Sequence, residues 1–289
     1  MTTAAWLADW FRSAWQYPLQ QHAISRFTHR LTRLKHVGFK NWLIRAFIRR
    51  FGVDMREAAN SDPDAYPTFN AFFTRALRAG ARPVAMESDA IACPVDGTVS
   101  QCGEIAGGRI IQAKDRDFNT HELLGGDPTL AAKFVSGLFV TLYLSPRDYH
   151  RVHMPFDGTL RRMLHVPGRL FSVNPPTTRA VPGLFARNER VAMIFDTAVG
   201  PMAVVMVGAL NVGSIETVWA GEITPPRGHV LRSWDYLDDN MRFAKGAELG
   251  RFNMGSTVIL LFSSAHVRWE TELAPGKSVR MGARIGKLR

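Results

Sequence analysis

The sequence predicts an α+β protein: N-terminal amphipathic helices followed by a β-rich, mainly antiparallel domain. Two observations carry this. Residues 1–50 repeat apolar side chains at helical spacing against arginines and lysines. After Pro83, short valine- and isoleucine-rich runs alternate with Asp96-Gly97, Gly107-Gly108, Gly125-Gly126-Asp127, Pro167-Gly168, Pro182-Gly183 and Pro275-Gly276, the punctuation of turns between strands. With 289 residues, 46% of them apolar, the chain can bury a substantial core. The boundary is expected near residue 65, with a helical region over 1–65 and a β-rich region over 66–289.

The helices are read in order. Trp6, Leu7, Trp10, Phe11, Ala14 and Trp15 share a face, Asp9, Arg12, Ser13 and Gln16 fall elsewhere, and Pro18 ends the run. Ile24, Phe27, Leu31 and Leu34 repeat the pattern opposite Arg26, Arg30 and Arg33. Phe39, Trp42, Leu43, Ala46 and Phe47 do so opposite Lys40, Arg45, Arg49 and Arg50. A short helix is expected from Tyr66-Pro67-Thr68-Phe69 through Phe72, Phe73 and Leu77. His121-Glu122-Leu123-Leu124 reads as a helical turn.

Charge is concentrated at one end. The first fifty residues hold nine Lys/Arg and one acid, Asp9, so they supply +8 of the net +11. Basic helices with Trp and Phe on the apolar face suit an interfacial membrane anchor. They equally suit three helices packed on a core with a solvated basic face. No nucleic-acid motif accompanies the charge, so no nucleic acid is expected as a partner. No run reaches the ~18 apolar residues of a spanning helix, and Asp9 and Arg12 interrupt any secretory signal. The expected place is therefore the cytoplasm, soluble or peripheral. Cys93 and Cys102 show no metal-site spacing and are read as reduced thiols.

The chemistry-bearing residues lie in two segments. Gly255-Ser256-Thr257 follows Gly250-Arg251-Phe252-Asn253-Met254 and opens the strand-like run Val258-Ile259-Leu260-Leu261-Phe262. Ser256 can be an intramolecular nucleophile: its hydroxyl attacks the Gly255 carbonyl and moves the acyl group from nitrogen to oxygen. Glycine leaves the carbonyl face open. Ser256 can equally be a plain strand-start serine, and Gly213-Ser214 offers the same dipeptide. The second segment, Ser145-Pro146-Arg147-Asp148-Tyr149-His150-Arg151-Val152-His153-Met154-Pro155, is densely polar. His150 and His153 lack a third ligand nearby, so no metal is expected. Asp96 reads locally as a turn residue in Asp-Gly, but with Ser256 and a histidine it could complete a nucleophile, base and orienter.

Five segments in one collinear order, from about Phe51 to Phe262, resemble the bacterial phosphatidylserine decarboxylases. They are Ser145 to Pro155, Leu170-Phe171-Ser172-Val173-Asn174, Leu184-Phe185-Ala186-Arg187-Asn188-Glu189-Arg190, Val218-Trp219-Ala220-Gly221 and Gly250 to Thr257. The resemblance implies a proenzyme that cuts itself at Gly255–Ser256 into chains 1–255 and 256–289, which stay associated. Ser256 would become the pyruvoyl cofactor, and phosphatidylserine would lose CO₂ through a Schiff base to it, giving phosphatidylethanolamine. His153 would be the base for self-cleavage, Asp96 its orienting acid, and His150 the group close to substrate. Phe171, Ser172, Val173 and Asn174 would line the substrate pocket. Arg187 to Arg190 read either as pocket residues or as a buried ion network. The expected partners are phosphatidylserine and an anionic membrane surface on the cytoplasmic face, with a possible homodimer.

Two other classes fit the same residues. A serine hydrolase could use Ser256, His153 and Asp96 on an uncut chain, though Met254 and Val258 depart from the Gly-x-Ser-x-Gly elbow. A non-catalytic peripheral membrane module could carry the β-domain on a basic helical anchor.

Overall fold

In the computed structural model, residues 9–10, 13–113, 116–211, 214–225, 228–255, 257–263 and 266–289 are described. Helices Gln21–Leu31, Val37–Phe51 and Phe69–Phe73 precede the sheets, and a large, mainly antiparallel β-structure follows. The architecture is α+β. Thr68 caps the short helix by accepting from Ala71 N at 3.1 Å, and the helix stops before Leu77. The turn at His121 lies in Thr120–Leu123.

The centre of the largest sheet is the strand Thr257–Phe262. It pairs antiparallel with Ser136–Tyr143 on one side and Gly200–Val207 on the other. All six of its residues are buried, which is why Thr-Val-Ile-Leu-Leu-Phe reads as a continuous run and not as alternation. Any chain beginning at residue 256 is thus held by hydrogen bonds on both edges. It is held again where Arg284–Leu288 pairs with Ala90–Ala92 and where Ser278–Val279 pairs with Gly97–Ala106. Gly97 permits the close packing of that last strand: a β-carbon there would meet the Tyr143 carbonyl oxygen at 2.4 Å. Asp96-Gly97 is therefore a strand entry and not a hairpin tip.

A smaller sheet runs Gly221–Thr224, Ser214–Thr217, Glu248–Asn253, Arg151–His153. The chain leaves it at Asn253 and enters the large sheet at Thr257. The Gly255 region is thus the crossover between two sheets. Met254 carries φ 101°, a conformation that costs a non-glycine residue on the order of 1–3 kcal/mol.

The described residues up to Leu31 pack with the opposite sense to the usual surface helix. In Gln21–Leu31 the buried residues are Gln21 and Ser25, while Phe27 is 65% exposed. Upstream, Asp9, Ser13 and Gln16 are buried, and Trp10 and Trp15 face outward. In Val37–Phe51, Lys40 and Ile44 are buried and Trp42 is 61% exposed. That helix joins a core through Ile44, Leu43, Phe47, Ile48 and Phe51, made with Phe69, Phe72 and Phe73. Of the first two apolar stripes, the described Trp10, Trp15, Phe27 and Leu34 are exposed. Trp6, Leu7, Phe11 and Arg12 lie outside the described residues. No helix among the described residues is long and apolar enough to cross a membrane.

Candidate active site

Ser256 lies outside the described residues; its flanks define the site. Gly255 lines a cavity of about 260 Å³, together with Phe47, Phe51, Phe73, Tyr143, Leu144, Ser172, Val173, Asn174 and Met254. The cavity is walled on one side by the aromatic face of the helix Val37–Phe51 and on the other by the loop Ser172–Asn174. That loop is fixed from outside. Gln16 Oε1 accepts from Ser172 N at 2.7 Å, and Gln21 Oε1 accepts from Leu170 N at 2.8 Å. The polar faces of the N-terminal helices are buried because they complete this backbone.

Three of the four expected pocket residues line the cavity. Phe171 does not: it is fully buried, under Tyr17 at 5.0 Å between ring centroids, and its N–H and carbonyl are both bound by the Asn188 side chain. Its backbone anchors the loop whose next residues reach the cavity. The segment Arg187 to Arg190 is correspondingly structural. Glu189 binds His165 at 3.1 Å, and Arg190 donates to the Leu123, Ala186 and Asn188 carbonyls. Burial draws the Arg190 guanidinium down to about 9.

His150 is fully buried, with its Nδ1–H donating to the Asp148 carbonyl at 2.7 Å. That bond fixes the tautomer and leaves the Nε2 lone pair open. Among the described residues Nε2 has no hydrogen-bond partner, and it faces Gly255, where a β-carbon would sit 3.2 Å from it. Burial pushes the imidazole down to about 3, with the nearby Arg75 cation acting in the same direction, so the ring is neutral at ordinary pH. Phe73 packs on it at 4.1 Å.

His153 is engaged on both nitrogens. Nδ1–H donates to the Gly246 carbonyl at 2.8 Å, and Nε2 accepts from the Tyr149 hydroxyl at 3.0 Å. Burial lowers its pKa as well. No described contact joins it to Gly255 or to Asp96. The Asp96 carboxylate is taken up by Arg82, at 2.9 Å from Nε and 2.6 Å from Nη2, and by Met281 N at 2.8 Å. The expected direct Asp96–His153 hydrogen bond is therefore not formed. The fork of Arg82 consumes the carboxylate, and Asp96 reaches His153 only as a minor through-space charge that raises its pKa. Tyr149, Arg82, Gln16 and Gln21 escape a reading of the sequence. Only Tyr149 carried a signal, its place in the polar segment between Ser145 and Pro155.

Such a site places one open, neutral imidazole nitrogen against an unshielded glycine at a strained crossover, beside an aromatic-walled cavity. A family model described as phosphatidylserine decarboxylase matches residues 69–287, and a second, described as PSD, matches 11–52. The phosphatidylserine decarboxylase proenzyme of Methylococcus capsulatus is 58% identical over 95% of both chains. That of Alkalilimnicola ehrlichii is 62% identical over 93% of this chain and 91% of its own. That of Azotobacter vinelandii is 56% identical over 94% and 96%. The chain belongs to the phosphatidylserine decarboxylase family.

Proposed function

We propose that this protein is made as a proenzyme, cuts itself between Gly255 and Ser256, and decarboxylates phosphatidylserine to phosphatidylethanolamine at a membrane surface. One observation carries the reading: His150 Nε2, buried and without a hydrogen-bond partner among the described residues, faces Gly255, which lines the cavity. A pyruvoyl group formed from Ser256 fits there, because the cavity adjoins residue 255 and an unsatisfied nitrogen points at it. That group supplies a ketone that takes up the substrate amine and receives the electrons released with CO₂.

The chain's own residues do the rest. Strain at Met254 and the bare Gly255 carbonyl favour attack by the neighbouring hydroxyl. In line with the resemblance, His153 accepts the proton of Ser256, with Tyr149 moving off Nε2 to admit it. His150 holds and returns a proton at the substrate carbon. Its neutral state suits it to accept first. Phe47, Phe51 and Phe73 exclude water from the cavity. Chains 1–255 and 256–289 remain joined, since Thr257–Phe262 pairs on both edges.

The membrane reading rests on helix orientation. Polar faces pack inward and Trp10, Trp15, Phe27 and Trp42 face out. Against a basic segment, that is the arrangement an anionic bilayer would bind, and its cytoplasmic face is the surface in question. The helix Val37–Phe51 connects this outer face to the cavity through Phe47 and Phe51. A homodimer is part of the reading.

Denaturing intact-mass spectrometry tests it. Expected are a species ending at Gly255 and a blocked species starting at residue 256, with CO₂ released from phosphatidylserine vesicles. A persistent single uncut chain that reacts with a fluorophosphonate would replace this reading with the hydrolase.

A further inference from the structure

Ser214, the other serine that follows a glycine, is not at the crossover but directly beside it. It is the cross-strand partner of Asn253, two residues before Gly255. Both side chains are buried, Ser214 at 0% and Asn253 at 1% exposure. The Asn253 amide donates to Ser214 Oγ and lies 3.3 Å from Glu216 Oε2. Its carbonyl accepts from Asn70 Nδ2 at 2.9 Å. Ser214 in turn donates to Glu222 at 2.7 Å and accepts from Arg33 at 3.3 Å, and Arg33 also pairs with Glu222.

The geometry points to Asn253 and Ser214 as positioning residues for self-cleavage: they pin the last residue of one sheet so that Met254 must turn through its strained φ and present the Gly255 carbonyl. This rests on the self-cleavage reading above. Three features support a positioning role over plain packing. The amide is held by three side chains, its partners lie on two separate segments, the strand Ser214–Thr217 and the helix Phe69–Phe73, and the restraint ends where the strain begins. Asn70 belongs to the helix whose Phe73 packs on His150, so carbonyl and imidazole are located by one element. Arg33, just past the helix Gln21–Leu31, closes the network from the N-terminal side. The step served is balanced within the chain. Ser256 Oγ bonds to the Gly255 carbonyl carbon, the C–N bond to residue 256 breaks, and the hydroxyl proton ends on the freed amine.

The test is a time course of self-cleavage by intact mass across pH 5 to 8, with thermal midpoints on the same samples. Asn253→Asp keeps the shape but turns a donor toward Glu216 and Glu222 into a carboxylate. It should slow cleavage roughly tenfold at neutral pH, the effect of one misdirected hydrogen bond. The gap to wild type should close as pH falls and the introduced carboxyl regains a proton. Ser214→Ala should slow cleavage severalfold at every pH. Wild-type rates in both variants would overturn the assignment. So would an Asn253→Asp deficit that ignores pH and follows thermal midpoint, since that is packing alone. Absence of cleavage in the wild-type chain would remove the self-cleavage reading, and this inference with it.

Discussion

His150 Nε2 and Gly255 approach so closely that a β-carbon on the glycine would lie 3.2 Å from the ring nitrogen and 3.6 Å from the Leu144 carbonyl oxygen. The glycine is therefore matched to the imidazole as well as to the strained turn before it. Gly255→Ala would push the imidazole back or rotate the scissile carbonyl. The expected result is at least a tenfold slower appearance of the 34-residue chain by intact mass, with the fold retained by circular dichroism. Cleavage at the wild-type rate would show that the approach has no bearing on the chemistry.

The two histidines should separate by step. His150→Ala is expected to cleave and yet lose about 10²-fold or more of turnover, the usual worth of a positioned acid–base group. His153→Ala is expected to remain uncut. The check is intact mass together with CO₂ release per cleaved chain. The reverse pattern would assign Nε2 of His150 to self-cleavage, which its position against Gly255 also permits.

Acid should destabilise the fold through the same pair. His150 stands at about 3 in the folded chain against an ordinary 6.5, and His153 is also lowered, in both cases mainly by burial. The unfolded chain therefore binds more protons below pH 6.5. Stability is fully present above that value and, for His150, is lost as pH falls from 6.5 toward 3, by up to about 1.4 kcal/mol per pH unit; His153 adds a loss of the same sign below 6.5. Urea midpoints between pH 7.5 and 4.5 measure this. His150→Gln, which has nothing to titrate, should flatten part of the slope.

Much of this was legible in the sequence, and what was not has physical causes. Val258 to Phe262 announced a strand buried on both faces because apolarity is a property of the segment itself. The polar run around His150 and His153 was visible for the same reason. Periodicity marked the stripe of Phe27 and Trp42 as apolar but could not say which way it faces. Facing depends on the partners of Gln16 and Gln21, more than 140 positions away. The Asp96 pairing failed for a related reason. Arg82 lies nearby in sequence among many arginines, and only the fold shows its fork closing on that carboxylate. Phe171 was misread as lining because a pocket loop alternates residues that face the cavity with residues that hold the loop.

Asp96 and Arg82 should behave as one unit in stability. Their side chains are 10% and 6% exposed, and Arg82 also holds Glu57 at 2.6 Å. Removing either partner leaves a largely buried charge, which costs about 3 kcal/mol. A double-mutant cycle of Asp96→Ala and Arg82→Ala is expected to give a coupling of about 2 kcal/mol or more by denaturant unfolding. Near-additivity would return Asp96 to a role centred on His153.

The outward aromatic stripes make the last prediction. Deleting residues 1–50 would not be a clean test of membrane binding, because Gln16 and Gln21 hold the pocket loop and Phe47 lines the cavity. Point changes on the exposed face avoid this. Phe27 and Trp42 are 65% and 61% exposed, so Phe27→Ser with Trp42→Ser removes little packing and should shift the thermal midpoint by no more than a few degrees. Each large side chain left out of a bilayer interface forgoes about 1.5–3 kcal/mol. Sedimentation with vesicles rich in phosphatidylserine or phosphatidylglycerol should therefore fall at least tenfold in affinity. Turnover of a short-chain, water-soluble phosphatidylserine should stay within about twofold, because neither side chain reaches the cavity. Undiminished vesicle binding would move the membrane contact to another face. An equal loss on the soluble substrate would mean that the stripe supports the active site from within.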